Sequence, residues 1–104
     1  MDDKSTLPAE ALQALSIAFE WKDQLPKPSI TMADVKAYLT QNITKLLARN
    51  PDKLMSILYR IDVLEHHVMD AFKNTPTDKL ADHLADLVID RQLQKLYYRK
   101  KYKS

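Results

Sequence analysis

No glycine occurs anywhere in the 104 residues of this chain. Glycine is the residue that reaches positive φ freely and lets a second backbone or a ligand approach closely. Phosphate-cradling loops, dinucleotide-binding turns, nucleophile elbows and primed hairpin turns all depend on it. A chain without it is steered towards helices joined by other punctuation, and five prolines supply that punctuation.

With 45% hydrophobic residues, a chain of this length fits one compact domain, which should bury about two-thirds of its unfolded surface. Cysteine is absent too, so disulfides, thiolate nucleophiles and cysteine-type zinc sites fall away. That usage suits a reducing compartment, and the expected location is the cytoplasm. The opening residues Met1, Asp2, Asp3, Lys4 and Ser5 are acidic overall and lead into no long apolar run. Neither a signal peptide nor a membrane span is therefore expected.

The net charge of +2 conceals an uneven distribution. Residues 1–90 carry 10 basic and 14 acidic side chains, whereas residues 91–104 carry six basic and none acidic. A basic end on an acidic body suits an anionic partner. It equally suits the negative C-terminal end of a helix.

Helix boundaries follow from local chemistry. The first apolar period opens at Leu7-Pro8, where the fixed φ of proline fits a first turn, and should end before Pro26-Lys27-Pro28, giving a helix over 7–24. Ser29 or Thr31 can cap a second helix over 31–49, with Thr31 and Asp34 spaced as a variant capping box. Asn50-Pro51-Asp52 combines a capping side chain, a proline and a carboxylate, and opens a third helix over 51–73. Thr75-Pro76-Thr77-Asp78 opens a fourth over 76–98, which runs into a basic tail at 95–104. The expected fold is all-α: a single-domain four-helix bundle, helices two to four up-down antiparallel, with helix one packing across them or swapped onto a second chain.

Two residues interrupt the apolar stripes. At 100° per residue, Leu54, Ile57, Leu58, Ile61, Leu64, Val68 and Phe72 share one face of the third helix, and Glu65 falls within it. Arg91 interrupts the corresponding face of the fourth. Because a lone buried charge is costly, Glu65 and Arg91 are expected to form a buried ion pair. Asp62, His66 and Asp70, and likewise Asp82, Asp86 and Asp90 with His83 nearby, form rows at i, i+4, i+8 that raise the question of a helical metal site. No inward Glu-x-x-His motif accompanies them, and the neighbouring rings of His66 and His67 should diverge by about 100°. The rows read better as solvated acidic faces, and no metal or other cofactor is assigned.

Further apolar residues fall outside the main stripes. Ile89, Leu93 and Leu96 lie opposite Leu80, Leu84 and Leu87, and Ile17 and Trp21 lie opposite Leu12, Leu15 and Phe19. Either the first helix covers the end of the fourth within one chain, or these five side chains form an association surface anchored on Trp21. The resulting reading is a non-catalytic interaction or assembly module, with a homodimer or another protein as its partner and no membrane role. The alternative is a nucleic-acid-associated protein that uses Lys95, Tyr98, Arg99, Lys100, Lys101 and Lys103, cations for phosphate and tyrosine for bases. A helical metal-binding protein stands third.

Overall fold

The computed structural model describes residues 7–21 and 31–102. Among the described residues the fold is all-helical, with no strand, and five helices stand where four were expected: α1 (Leu7–Ala18), α2 (Met32–Arg49), α3 (Pro51–Arg60), α4 (Glu65–Asn74) and α5 (Thr77–Tyr102).

The second helix begins as its sequence requires. The Thr31 hydroxyl accepts from the Asp34 amide at 3.1 Å, and the Asp34 carboxylate accepts from the Thr31 amide at 3.0 Å. Asn50 ends α2 by donating its amide to the Leu46 carbonyl, and starts α3 by accepting the Lys53 amide on its side chain. Pro51 then needs no partner for an N–H, because it has none. One residue thus joins two helices with no intervening loop.

Two helices stop in left-handed backbone, and here the sequence reading needs correction. The first helix ends at Ala18, short of residue 24. Glu20 takes φ 57°, the Glu20 amide donates to Ile17, and the Trp21 amide donates to Ser16 at 2.9 Å. This is the Schellman closure, made without glycine. The segment Pro26-Lys27-Pro28 lies outside the described residues. The expected third helix over 51–73 is likewise two helices. Asp62 takes φ 66°, its amide donates to Tyr59, and the Val63 amide donates to Leu58. Four residues separate Arg60 from Glu65 and redirect the chain.

That break changes which side chains are inside. Val63, Val68 and Ala71 are buried, whereas Leu64 and Phe72, assigned to the core stripe on the assumption of one continuous helix, are exposed.

α5 is the centre of the packing. It contacts α1, α2 and α4, and α2 in turn contacts α1 and α3. A helix covered on several sides must be apolar on several sides, which accounts for the two faces read from its sequence. Leu84, Ala85 and Val88 have no exposed surface, and Val35, Leu39 and Ile43 of α2 are equally closed. At the rim, the Lys36 ammonium of α2 bridges Asp82 and Asp86 of α5 at 3.2 and 2.9 Å. The second turn of α2 is thereby held against the second and third turns of α5. Lys53 similarly reaches Glu20 at 3.1 Å, tying the start of α3 to the end of α1.

Candidate functional site

The left-handed turn at Asp62 leaves a groove between α3 and α4. Asp52, Met55, Ser56, Leu58 and Tyr59 line it from α3, Val63 from the turn, and Glu65 and Val68 from α4, enclosing about 330 Å³. Its walls are mainly apolar. Leu58, Val63 and Val68 form a buried floor, while Met55 is exposed and Tyr59 retains 81% of its surface. Phe72, one turn beyond Val68, and Met69 extend the exposed apolar surface along α4. Large side chains left in water beside a groove carry a desolvation gain, on the order of 25 cal/mol per Å² of apolar surface, that is released when a partner covers them. Two carboxylates, Asp52 and Glu65, are among the lining residues, and no cation is.

The expected association surface is placed elsewhere. Ile89 and Leu96 are 8% and 3% exposed, and Leu93 is partly covered. These side chains are covered to that extent within one chain, where α1, α2 and α4 all pack on α5. Trp21 is also drawn inward: its ring meets Tyr38 edge-on at 4.6 Å and Phe19 at 5.7 Å. Ile17 is exposed, at 73%, and Leu93 and Trp21 keep part of their surface. The five residues therefore do not form one open surface on the folded chain, because Ile89 and Leu96 are buried within it.

The Glu65–Arg91 pair is corrected as well. With the helix broken at Asp62, Glu65 falls in the first turn of α4 and is exposed, where the positive helix end favours it. Arg91 is half-buried and donates to the Gln94 side chain at 3.2 Å. It borders a smaller cleft of about 180 Å³ with Val63, Leu64, His67, Leu87, Asp90 and Gln94. Its Nε is enclosed and has no hydrogen-bond partner among the described residues.

The acidic rows do not converge. Asp62 now belongs to the turn and no longer continues the line of His66 and Asp70, while Asp82 and Asp86 are taken up by Lys36. The His66 and His67 rings lie closer than a 100° separation suggests, with centroids 4.3 Å apart. Among the described residues no group of three or more metal-ligating side chains gathers.

The basic tail is helical up to Tyr102. Tyr97, Tyr98, Arg99 and Lys101 are exposed, Lys95 is half-buried, and the side chain of Lys100 and the whole of Lys103 lie outside what is described. Winding separates the cations. Lys95 and Arg99 fall on one side, and Lys101 sits about 120° or more away, over the Tyr97 ring at 5.7 Å. They do not form one basic line.

No helix among the described residues is long and apolar enough to cross a membrane. A scan against protein-family models and searches of curated proteins and of solved structures found no match. The class of protein therefore rests on the groove and its surroundings.

Met55, Tyr59, Val63 and Val68 did not emerge from periodicity as a site. On a continuous helix Val63 lies off the stripe and Tyr59 belongs to the solvated side. The usable signal was small: an aspartate, which tolerates positive φ better than most residues, followed by an apolar pair, Val63-Leu64, out of phase with the stripe before it.

Proposed function

We propose that this chain is a non-catalytic helical interaction module whose docking surface is the α3–α4 groove. One observation carries the reading: Tyr59, a large amphipathic side chain, stands almost fully in water at the edge of a groove floored by Leu58, Val63 and Val68. Tyrosine is favoured at interface centres because it supplies contact area at small entropic cost. The lining offers no nucleophile with an activating base. A cytoplasmic setting, and an up-down course in which α3 and α4 together form the leg between α2 and α5, belong to the same proposal.

The test is a photo-cross-linking residue placed at Tyr59 and activated in the cells that make the protein. A discrete cross-linked protein species, lost when Phe72 and Met55 are replaced by aspartate, is the expected result. A probe that yields only the uncross-linked chain overturns the reading.

A further inference from the structure

Residues 61–64 divide the chain into two parts. α3 packs on α2, and α4 packs on α5, whereas α3 and α4 share little contact of their own. What joins the parts is the packing of α5 on α1 and α2.

The bend between the parts runs against local preference. Asp62 takes φ 66°, in the left-handed region, where a residue with a Cβ is disfavoured. Leu64 stands at the N-cap of α4, and its side chain makes no capping hydrogen bond. The sequence meanwhile keeps its helical phase through the bend. At 100° per residue, Leu54, Ile57, Ile61, Leu64, Val68 and Phe72 fall within an arc of about 80°. Of this set, Leu64 and Phe72 are 56% and 41% exposed in the bent chain. Val63 acts in the opposite sense, being buried in the bend and lying off the arc.

We infer that two copies of this chain exchange α4 and α5, with residues 61–64 straightening so that α3 and α4 become one helix from Pro51 to Asn74. Such a helix is roughly 36 Å long and carries α5 off its own α2 and onto the α2 of the second copy. The contacts of α5 with α1 and α2 are then remade in trans, so the exchange keeps the core and changes the hinge. Straightening removes the left-handed residue, gives the first amides of α4 carbonyl partners one turn back, and brings Leu64 and Phe72 into the stripe. Exposure of Val63 and entry of Glu65 into the stripe oppose it. Because the same contacts close either form, the monomer prevails at low concentration, its own closure acting as an effective concentration on the order of millimolar. The inference does not depend on docking at the groove. It sets that role a condition, since the straight form has no α3–α4 groove and exchange excludes docking.

The experiment is sedimentation equilibrium of the full chain refolded from denaturant at a series of concentrations up to about 1 mM. Refolding at each concentration lets α5 choose between its own α2 and another. The wild type should approach twice its 12.1 kDa mass at the top of the series. Asp62→Ala, which favours a straight helix and tolerates positive φ poorly, should dimerise at concentrations at least tenfold lower. Asp62→Gly, which fits the left-handed turn and weakens a straight helix, should need concentrations at least tenfold higher. Circular dichroism checks the fold of each variant.

A charge reversal across the helices that trade partners tells exchange from side-by-side pairing. Lys36 of α2 bridges Asp82 and Asp86 of α5. One variant carries Lys36→Glu and the other Asp82→Lys with Asp86→Lys, so each alone sets like charges against one another. In an exchanged heterodimer every α5 meets an α2 of opposite charge. Refolding the two together should therefore give heterodimer well above random pairing in native mass spectrometry. Should either variant unfold alone, recovery of helicity on refolding the two together is the expected result.

A wild type and an Asp62→Ala variant that both stay monomeric at about 1 mM overturn the inference. So does an Asp62→Gly chain that dimerises as readily as the wild type, or a pair of charge variants that associate at random, since α5 then stays on its own α2. Absence of a Tyr59 cross-link in cells, with exchange observed in the purified chain, removes the docking role of the groove and leaves this inference standing.

Discussion

The Val63 amide donates to the Leu58 carbonyl at 3.1 Å across an Asp62 held at φ 66°. This contact ends α3, turns the chain into α4, and opens the groove that the two helices share. A side chain at positive φ pays for its Cβ, and glycine does not. Asp62→Gly is therefore expected to stabilise the protein by about 1 kcal/mol, and Asp62→Val to destabilise it by at least as much. In an unbroken helix glycine has the opposite effect and costs about 1 kcal/mol. The sign of the shift in a denaturant midpoint decides between the two backbones.

Leu96 and Ile17 separate intrachain cover from an interface. Leu96 is closed by its own chain and Ile17 is open. Leu96→Ala is expected to cost about 2–4 kcal/mol at every protein concentration. Ile17→Ala should stay within about 0.5 kcal/mol. Chemical denaturation at two protein concentrations checks both, and a Leu96→Ala penalty that shrinks on dilution would mean that a second chain covers this residue.

Lys36 joins α2 to α5 through two aspartates one turn apart. Hydrogen bonding to Asp86, and then to Asp82, holds its ammonium above the ordinary lysine range, with the opposing effect of desolvation outweighed. A raised pKa means that the folded state binds the proton more tightly, so the stabilisation is complete below the unfolded value of about 10.4 and is lost as pH rises through the folded one. Removing Lys36 also leaves two like charges at i, i+4 uncompensated. Lys36→Met should lower the melting temperature at pH 7, and the gap from the wild type should narrow as pH rises beyond the ordinary lysine range and in high salt. A gap that is constant across both series contradicts an electrostatic origin.

Trp21 and Tyr38 hold the end of α1 against α2 through an edge-on ring contact. Such a pair contributes about 0.5–1.5 kcal/mol beyond its buried area. A double-mutant cycle with Trp21→Leu and Tyr38→Leu is expected to show coupling in that range. Additive penalties would mean that the rings merely occupy space.

What the sequence made legible was the chemistry that acts within a few residues. Thr31 with Asp34, and Asn50 with Pro51, cap their helices through neighbours at fixed spacing, so their positions can be read directly. The stops at Glu20 and Asp62 could not be read in the same way. Both use left-handed backbone without the glycine or asparagine that usually marks it, and at Asp62 the apolar stripe continues through Ile61, Leu64 and Val68 as though the helix did. The Glu65–Arg91 pairing failed with that assumption, since it required Glu65 to lie on a continuous helix. The second apolar faces were read correctly as needing cover. Their residue types are the same whether their own chain or another supplies it, so only the burial of Ile89 and Leu96 within the folded chain resolves the choice for them. The groove was hidden by the same missed turn, because Glu65 and Val68 of α4 come to line one groove with Met55 and Tyr59 of α3 only once the chain bends.

Hydroxyl-radical footprinting of Met55 and Tyr59 addresses the docking role of the groove most directly, comparing the protein in the cells that make it with the purified chain at high dilution. Ile17, exposed on α1, provides the internal reference. Both groove residues are expected to oxidise several-fold more slowly in the cell while Ile17 reacts alike in both settings. Equal rates for all three residues would contradict a docking function for the groove.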